Sequence, residues 1–418
     1  MKLSSTPLRI FAAALFLSAL SCTENLDSSG VCAVLCPPVG GSVQNETFNA
    51  ISLDTTVQAL SGLGTEGGLL LASRGDTLDT RAIIRFDSLP TRFTPSGDST
   101  QNIKTVDSAF ILLKLDTTSI KGTAPLTIEA YDVDTTANDT STAAVLALFR
   151  PDRFISSQAF ARSDLKDTVR YYISNAAVLQ KIQSGARLRV GLRSVSTAST
   201  QIRIISTEGL AGPQLSFRAT SDTATHPLLV TPLSKTPVGE SLAAAHLADY
   251  TVIAKSPPPG STADLDVGGL PARRVYLRFD IPSRIIDSAT VIRATLLLNQ
   301  IANPALDPTD SINILPHVVL ATAAVTDPAK ASQIIADIST DTLKVKPGES
   351  GLRQVELARA FTVWRLQDPK VTPRAIVLSA LTEGNTPLEI RFYSSEAAAS
   401  LRPQLRISYT SKVPLGLP

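Results

Sequence analysis

The chain has 418 residues, of which 43% are hydrophobic, 18% are charged and 5% are aromatic. This apolar content is enough to build buried cores, so disorder is excluded for most of the chain. The formal net charge is only +2, which excludes the strongly basic balance of a nucleic-acid-binding protein. The three histidines, His226, His246 and His317, are far apart and form no local metal motif, so we predict no metal and no cofactor.

The first residues predict export from the cell. The basic residues Lys2 and Arg9 come before an apolar run of 11 residues, 10–20. That run is too short to cross a bilayer, because a membrane-spanning helix needs about 20 residues. The pattern is typical of a cleaved signal peptide over residues 1–21. Residues 22–42 contain Ser, Gly and Pro with few apolar residues, which predicts a flexible tether.

The end of the signal segment, residues 19–22, reads Ala-Leu-Ser-Cys and resembles the lipobox of bacterial lipoproteins. The resemblance implies that Cys22 becomes the lipidated first residue of the mature protein. Thr23 follows it instead of an aspartate, which resembles the outer-membrane pattern of Gram-negative lipoproteins. The small residues Ala19 and Ser21 also satisfy ordinary secretory cleavage, so free secretion remains the alternative.

Cysteine usage bears on the same choice. Cys32 and Cys36 can pair with each other in an oxidising compartment, which leaves Cys22 as the odd cysteine. This count favours a lipid on Cys22. We therefore expect a protein of the bacterial cell envelope, lipid-anchored to the outer membrane.

An internal repeat is the most informative feature of the sequence. Four blocks recur in the same order at offsets between 185 and 193 residues. The paired blocks are 81–87 with 274–280, 108–113 with 293–298, 202–208 with 390–396, and 213–215 with 403–405. Each copy has about 180 residues, a normal size for one β-sandwich. The repeat predicts a first domain over 43–220 and a second over 226–412.

Within the blocks, apolar and polar residues alternate with a period of two. Leu188, Val190 and Leu192 alternate with arginines, and the same spacing recurs in the second copy. This period predicts β-strands with one buried and one solvated face, as in paired antiparallel sheets. We predict an all-β fold of two tandem antiparallel β-sandwich domains, jelly-roll-like in topology. Trp364 is expected in the core, on a short helix over 355–366.

The blocks also resemble a known family. Leu277 to Asp280 reads Leu-Arg-Phe-Asp, 294–298 reads Ala-Thr-Leu-Leu-Leu, and Ser394-Ser395-Glu396 precedes Arg402-Pro403-Gln404-Leu405. In this order they are similar to the DNRLRE-domain proteins, secreted bacterial and archaeal β-sandwich modules. Some of those modules are classed as carbohydrate-binding. The resemblance implies a β-sandwich fold and makes carbohydrate a candidate ligand.

One strand surface is the candidate for such a ligand. Tyr276 lies on the polar side of its strand, opposite Val275 and Leu277, and Tyr393 alternates with apolar neighbours in the same way. Tyrosine rings can stack on sugar rings, and nearby arginines can hold an anionic polysaccharide. The candidate ligand-binding residues are Arg274, Tyr276, Arg278, Arg391 and Tyr393. The alternative is that a second sheet or a loop covers this side.

Other candidate sites are weaker. Asp132, Asp134, Asn138 and Asp139 form an oxygen-rich loop that leaves structural calcium open, although the EF-hand spacing is absent and a solvated Asp/Thr/Asn turn is the preferred interpretation. No local motif assembles a nucleophile, a base and an oxyanion-stabilising group, so we predict no enzyme and no catalytic residues. The function we expect is a non-catalytic envelope protein that binds carbohydrate. The alternative is a structural or adhesive module whose partner is another envelope protein.

Overall fold

The structure is a computed structural model. It describes residues 42–411 apart from 50, 60–63, 96–98, 136–140, 197, 210, 221–225, 236–246, 258–259, 262, 304–309, 340–341 and 368–373. The predicted signal peptide, most of the tether, and Cys22, Cys32 and Cys36 lie outside the described residues. Those predictions remain predictions.

The described chain is mostly β-strand, as the period of two predicts. Up to residue 230 the strands are β1 (Gln44–Phe48), β2 (Ile51–Gln58), β3 (Gly68–Arg74), β4 (Leu78–Phe86), β5 (Arg92–Phe93), β6 (Gln101–Asn102), β7 (Asp107–Lys114), β8 (Leu126–Asp132), β9 (Phe154–Phe160), β10 (Thr168–Tyr172), β11 (Leu188–Ser194), β12 (Thr200–Ile205), β13 (Gln214–Arg218) and β14 (Leu228–Val230). Thereafter they are β15 (Asp249–Lys255), β16 (Asp264–Gly268), β17 (Arg273–Phe279), β18 (Ala289–Ile301), β19 (Ile312–Val319), β20 (Ile335–Asp337), β21 (Leu343–Val345), β22 (Gly351–Glu356), β23 (Ala375–Ala380), β24 (Glu389–Tyr393) and β25 (Gln404–Ser411).

A few short helices lie between the strands. The α-helices are α1 (Thr142–Leu146), α2 (Asn175–Ser184), α3 (Ser283–Ile286), α4 (Pro328–Ala331) and α5 (Ala358–Leu366). The side chain of Ser174 caps the start of α2, and Gly185, at a φ of +63°, ends it. Trp364 on α5 is buried in the second core, which confirms the expectation for that residue. The helix is shorter than predicted, because 351–356 form β22 instead.

The first copy is built from two antiparallel sheets. One runs in the order β12-β3-β4-β11-β8-β9, and the other in the order β10-β7-β13-β14. Inward side chains of both sheets meet in one hydrophobic core that includes Leu71, Ile84, Ile111, Val190 and Leu215. Alternation along each strand places these residues inside and the polar residues outside.

The second copy has the same arrangement, with its strands continuous in one 12-stranded sheet. The path is β1-β25-β18-β24-β16-β17-β23-β19-β20, with β2 beside β17, β21 beside β19 and β22 beside β18. The long strand β18 joins the two layers, since it pairs with β25 along most of its length and with β24 at its end. The core again collects inward residues from both layers, Leu277, Leu296, Ile390 and Ile407 among them.

The sequence repeat does not coincide with the strand pairing, because the copies exchange their leading strands. Residues 44–58, which we call the first arm, form β1 and β2, which pair with β25 and β17 of the second copy. Residues 228–230 and 249–255, the second arm, form β14 and β15, which pair with β13 and β4 of the first copy. The limits 43–220 and 226–412 stay predictions, but hydrogen-bonded partners cross between them in both directions.

Both arms make the same contacts in their host copies. Thr56 lies opposite Val275, and its Oγ1 accepts a hydrogen bond from the backbone N of Asp266 on β16 at 2.9 Å. Thr251 lies opposite Ala82, and its Oγ1 accepts one from the backbone N of Leu70 on β3 at 3.0 Å. Each arm therefore sits beside one strand of a hairpin and satisfies a backbone donor of the other strand.

An aspartate anchors each arm further along. The carboxylate of Asp54 accepts hydrogen bonds from the backbone N and Oγ of Ser395, both at 2.7 Å. The carboxylate of Asp249 accepts them from the backbone N and Oγ1 of Thr207 at 3.0 and 2.9 Å. Thr207 and Ser395 are equivalent positions of the repeat. Each arm therefore makes the same pair of hydrogen bonds to the same position of the other copy.

The second arm gives a pH-dependent stability. Asp249 is 1% exposed, and this burial raises the pKa of its carboxyl to about 7, against the lowering by hydrogen bonds from Thr207. A carboxyl that holds its proton more tightly when folded stabilises the fold below its unfolded pKa of 3.8. That contribution is lost as the pH rises through the folded value of about 7.

We therefore expect the free energy of unfolding to fall between about pH 4 and pH 7 by about 3 kcal/mol. In Asp249→Asn, the free energy of unfolding from urea unfolding curves should depend less on pH across that range. Asp76→Asn is the control, because the Asp76 side chain is fully exposed, and it should leave the slope as it is. An unchanged slope in Asp249→Asn would show that another group carries the pH dependence.

Candidate functional site

The predicted ligand surface on β17 is covered. Tyr276 is 4% exposed and packs against Val319, Ala375 and Val377. The guanidinium of Arg274 forms hydrogen bonds with Glu383 at 2.8 and 2.7 Å and donates to the backbone O of Ser332. The alternative that this side of the strand is covered therefore holds for Tyr276. The side chain alternates outward as predicted, and the segment after β19 adds Ala321, Val325 and Ala331 to the buried cluster around its ring.

The other predicted residues have separate surroundings. Arg278 is exposed on β17. Arg391 and Tyr393 lie on β24, opposite Asp266 and Asp264 of β16, and both are half-buried. Arg391 donates from Nε to Glu389 at 2.7 Å. The five residues do not form one continuous Tyr/Arg surface, because the ring of Tyr276 and the charge of Arg274 are already occupied.

An exposed aromatic surface occurs instead on the first copy. It is the outward side of the four-stranded sheet β10-β7-β13-β14, and we call it the aromatic face. Its members are Phe110, Leu112, Lys114, Arg170, Tyr172, Gln214 and Leu229. Strand register places them side by side, with Tyr172 opposite Phe110 and Arg170 opposite Leu112. Because sheet neighbours lie about 5 Å apart, these side chains form one surface.

Ring contacts fix the geometry of the aromatic face. Phe110 and Tyr172 meet edge to face, with ring centroids 5.9 Å apart. The guanidinium carbon of Arg170 lies 5.0 Å from the Phe110 centroid, a cation–π contact. Tyr172 remains 52% exposed. The surface thus offers one open aromatic ring beside a positive charge.

The backbone holds Tyr172 in place. Its N donates to Oε1 of Gln158 at 2.8 Å, and its O accepts from Oγ of Ser156 at 3.1 Å. The adjacent Tyr171 points inward, where burial raises the pKa of its phenol to about 12 and its hydroxyl donates to the backbone O of Ser156. The two tyrosines therefore have different roles, Tyr171 in the core and Tyr172 on the surface.

The corresponding side of the second copy has a different composition. By register with β18, the positions equivalent to the aromatic face carry Thr295, Leu297, Gln354, Glu356, Gln404 and Arg406. None of these six side chains is aromatic. Among the described residues, the open aromatic ring of this sheet surface therefore belongs to the first copy and has no counterpart at the equivalent position, Glu356, of the second.

A charged cluster lies at the edge of β16 and β24. Asp266 is 3% exposed, with Arg273 at 3.8 Å and Arg391 at 4.0 Å from its carboxylate. Glu389 is hydrogen-bonded to both arginines. Burial, together with the charge of Glu389, raises the pKa of Asp266 to about 6, although both arginines lower it. Each of the two carboxylates has an arginine within ion-pair distance.

The oxygen-rich loop, where structural calcium was the less favoured interpretation, has protein cations as partners. Lys181 Nζ lies 2.8 Å from Asp132, and Arg187 Nη2 lies 2.8 Å from Asp134. These side chains supply the positive charge that calcium would bring. Asn138 and Asp139 lie outside the described residues. Within the described part of the chain, no group of three or more His, Cys, Asp or Glu side chains is placed to hold a metal ion.

Comparisons with known proteins are sparse. No family model and no curated protein matches the chain. In the part of the chain that the structure describes, no helix is long and apolar enough to span a membrane.

Three solved structures resemble the chain distantly. A structure of the infectious bursal disease virus Gx strain is 9% identical, covering 88% of this chain and 76% of that one, with a TM-score of 0.14. The N-terminal tandem CBM22 domains of a Paenibacillus barcinonensis protein are 9% identical, covering 87% and 100%, with a TM-score of 0.14. A subviral particle of the same virus is 9% identical, covering 89% and 77%, with a TM-score of 0.15.

Proposed function

We propose that this chain is a non-catalytic, lipid-anchored protein of the bacterial cell envelope that binds carbohydrate through the aromatic face. In this proposal Cys22 carries the lipid, residues 22–42 act as the tether, and two β-sandwich modules of jelly-roll type follow. The observation that carries the binding role is the open ring of Tyr172 beside Phe110 and Arg170.

The chemistry of the aromatic face suits a sugar. The apolar side of a pyranose ring can stack on the exposed ring of Tyr172. Gln214 offers an amide next to Leu112, and amides donate to and accept from hydroxyl groups. Lys114, Arg170 and Arg218 on the same sheet are basic, which favours an anionic polysaccharide over a neutral one.

A structural or adhesive role with a protein partner is the second candidate. One observation favours it, because Leu229 is exposed on the same sheet beside Ser216 and extends the apolar part of the surface. Exposed apolar surface next to aromatic side chains is common in protein interfaces. The same variants separate the two candidates, since the first requires a polysaccharide and the second does not.

Affinity electrophoresis of the full chain, carrying Cys22→Ser to prevent lipidation, tests the proposal against anionic and neutral polysaccharides. We expect retardation by an anionic polysaccharide and about tenfold weaker binding in Tyr172→Ala, from the loss of ring stacking. Leu352→Ala is the matched control, because Leu352 is 53% exposed on the equivalent side of the second copy. Unchanged mobility across the whole panel would contradict carbohydrate binding and leave the protein partner as the better candidate.

A further inference from the structure

A cavity lies where the two copies meet, separate from the aromatic face. It has a volume of about 280 Å³ and opens between the turn of the β3–β4 hairpin and the turn of the β16–β17 hairpin. Sites for drug-sized ligands start at about 300 Å³, so a cavity just below that size suits one small molecule or one unit of a polymer. Its polar lining is contributed by Arg74 and Thr77 from the first copy and by Asn303, Glu389 and Arg391 from the second.

Two arginines of the lining have hydrogen-bond donors that no described residue accepts from. Arg74 donates from Nη2 to Gln201 at 2.9 Å, and among the described residues its Nε and Nη1 have no partner. Arg391 donates from Nε to Glu389, and among the same residues its two Nη atoms have none. Arg391 thus presents its Nη1–Nη2 edge, which matches a carboxylate in bidentate geometry. The free Nε and Nη1 of Arg74 lie on different edges, so Arg74 adds one charged donor to the same cavity.

The charge around the cavity favours an anion. Arg273 and Arg391 are both bonded to Glu389, so the carboxylate of the lining is already neutralised. Asp266 lies between the same two arginines, and its buried Oδ1 has no hydrogen-bond partner. Three arginines, counting Arg74, therefore stand against two carboxylates, which leaves one positive charge for a ligand to balance.

We propose that this cavity binds the carboxylate of a hexuronic acid unit. The carboxylate is held by Arg74 and Arg391, while Glu389 accepts hydrogen bonds from ring hydroxyls. The apolar walls, Leu78, Pro257, Leu270 and Pro387, face the C–H side of the sugar ring. That the ligand has a carboxylate is inferred from Arg74 and Arg391 alone. That the carboxylate belongs to a sugar rests on the proposed carbohydrate function.

Calorimetric titration of the full chain, with Cys22→Ser, tests the assignment using small molecules. Galacturonate and glucuronate are the probes, galactose and glucose are the matched neutral sugars, and succinate is the carboxylate without a sugar ring. We expect the uronates to bind and the neutral sugars to bind at least about tenfold more weakly, since hydrogen bonds to charged groups are the strong ones. Neutral sugars that bind as well as uronates would overturn the carboxylate assignment. Succinate that binds as well would overturn the sugar assignment.

Variants locate the binding. Arg74→Gln, at the end of β3, and Arg391→Gln are each expected to weaken uronate binding about tenfold. Arg278→Gln, exposed on β17 away from the lining, should leave it unchanged, and so should Tyr172→Ala. Uronate binding that survives Tyr172→Ala while polysaccharide binding is lost separates the cavity from the aromatic face. Absence of uronate binding to the folded chain, or binding indifferent to both Arg74→Gln and Arg391→Gln, would overturn the proposal.

Discussion

Replacing Thr56 with proline is expected to destabilise the second copy and to spare the first. Thr56 lies in the repeat unit that begins the chain, but β2 is bonded to β17, and the Thr56 hydroxyl accepts from the backbone N of Asp266. Proline removes a backbone donor, and it is not tolerated inside a sheet away from the edge. The substitution also deletes the hydroxyl that satisfies Asp266. The lost strand hydrogen bond and the unsatisfied backbone N of Asp266 together are expected to lower the free energy of unfolding by about 2–4 kcal/mol.

Hydrogen exchange measured by mass spectrometry checks both the size and the place of this effect. In Thr56→Pro we expect faster exchange in β16 and β17 (264–279) and unchanged exchange in β3 and β4 (68–86). The mirror variant Thr251→Pro should do the reverse, because Thr251 satisfies the backbone N of Leu70 in the first copy. Faster exchange in the mutated residue's own copy would contradict the exchanged arms.

A milder variant serves if proline prevents folding. Thr56→Val keeps the volume and β-propensity of the side chain but leaves the backbone N of Asp266 without its acceptor. An unsatisfied buried donor costs about 1–3 kcal/mol. The same peptides of the second copy should again be the ones that exchange faster.

The all-β character of the chain was predictable from the sequence, and the exchange of arms was not. The signal for the arms is present, since Asp54 to Val57 reads Asp-Thr-Thr-Val and Asp249 to Val252 reads Asp-Tyr-Thr-Val. This repeat shows that both arms occupy equivalent positions. It does not show which copy each arm enters, because both host hairpins offer the same backbone donors.

Chain length gives a physical reason for the exchange. β2 and β16 are both antiparallel to β17, so the first arm runs parallel to its neighbour β16. If the first arm paired within its own copy, β2 would run parallel to β3. The connection from the end of β2 to the start of β3, residues 59–67, would then have to run back along the whole length of β2. Eight strand residues span about 26 Å. Nine fully extended residues reach about 30 Å at most, which leaves almost no slack for that return.

The sequence predicted the residue types of the candidate site, tyrosine and arginine, but not where on the fold they form an exposed surface. Alternation placed Tyr276 on the outward side of β17, but alternation says nothing about what covers that side. The aromatic face escaped prediction because Phe110 and Tyr172 are 62 positions apart and meet only through the pairing of β7 with β10. The alternation in Thr168 to Tyr172 was the available signal. Arg391 alone of the candidate residues lines the cavity between the copies.

The second large effect concerns a buried ion pair in the first copy. Arg189 holds Asp87 with two hydrogen bonds, at 2.9 and 2.7 Å, and both side chains are buried. Burial alone would raise the pKa of Asp87, but the hydrogen bonds and charge of Arg189 outweigh it and hold that pKa below its usual value. The Asp87 carboxylate therefore stays charged in the folded protein.

Arg189→Met removes the partner and leaves the carboxylate buried. Breaking a buried pair in this way costs about 3–5 kcal/mol of the free energy of unfolding. The pH dependence should also change sign for this group. With Arg189 present, the Asp87 carboxylate stabilises the fold above its unfolded pKa, and this contribution is lost as the pH falls. Without Arg189, burial raises the pKa of Asp87, so the free energy of unfolding should fall as the pH rises past about 4.

Urea unfolding at several pH values measures both effects. Asp280→Asn is the control: it alters the same Arg-Phe-Asp motif in the second copy, where the carboxylate is exposed. It should change stability by less than about 0.5 kcal/mol. The contrast has a structural cause, because β11 places Arg189 opposite Arg85, whereas β23 places Ala375 opposite Arg278. A small loss in Arg189→Met, equal to that of the control, would mean that Arg85 alone can hold the Asp87 charge.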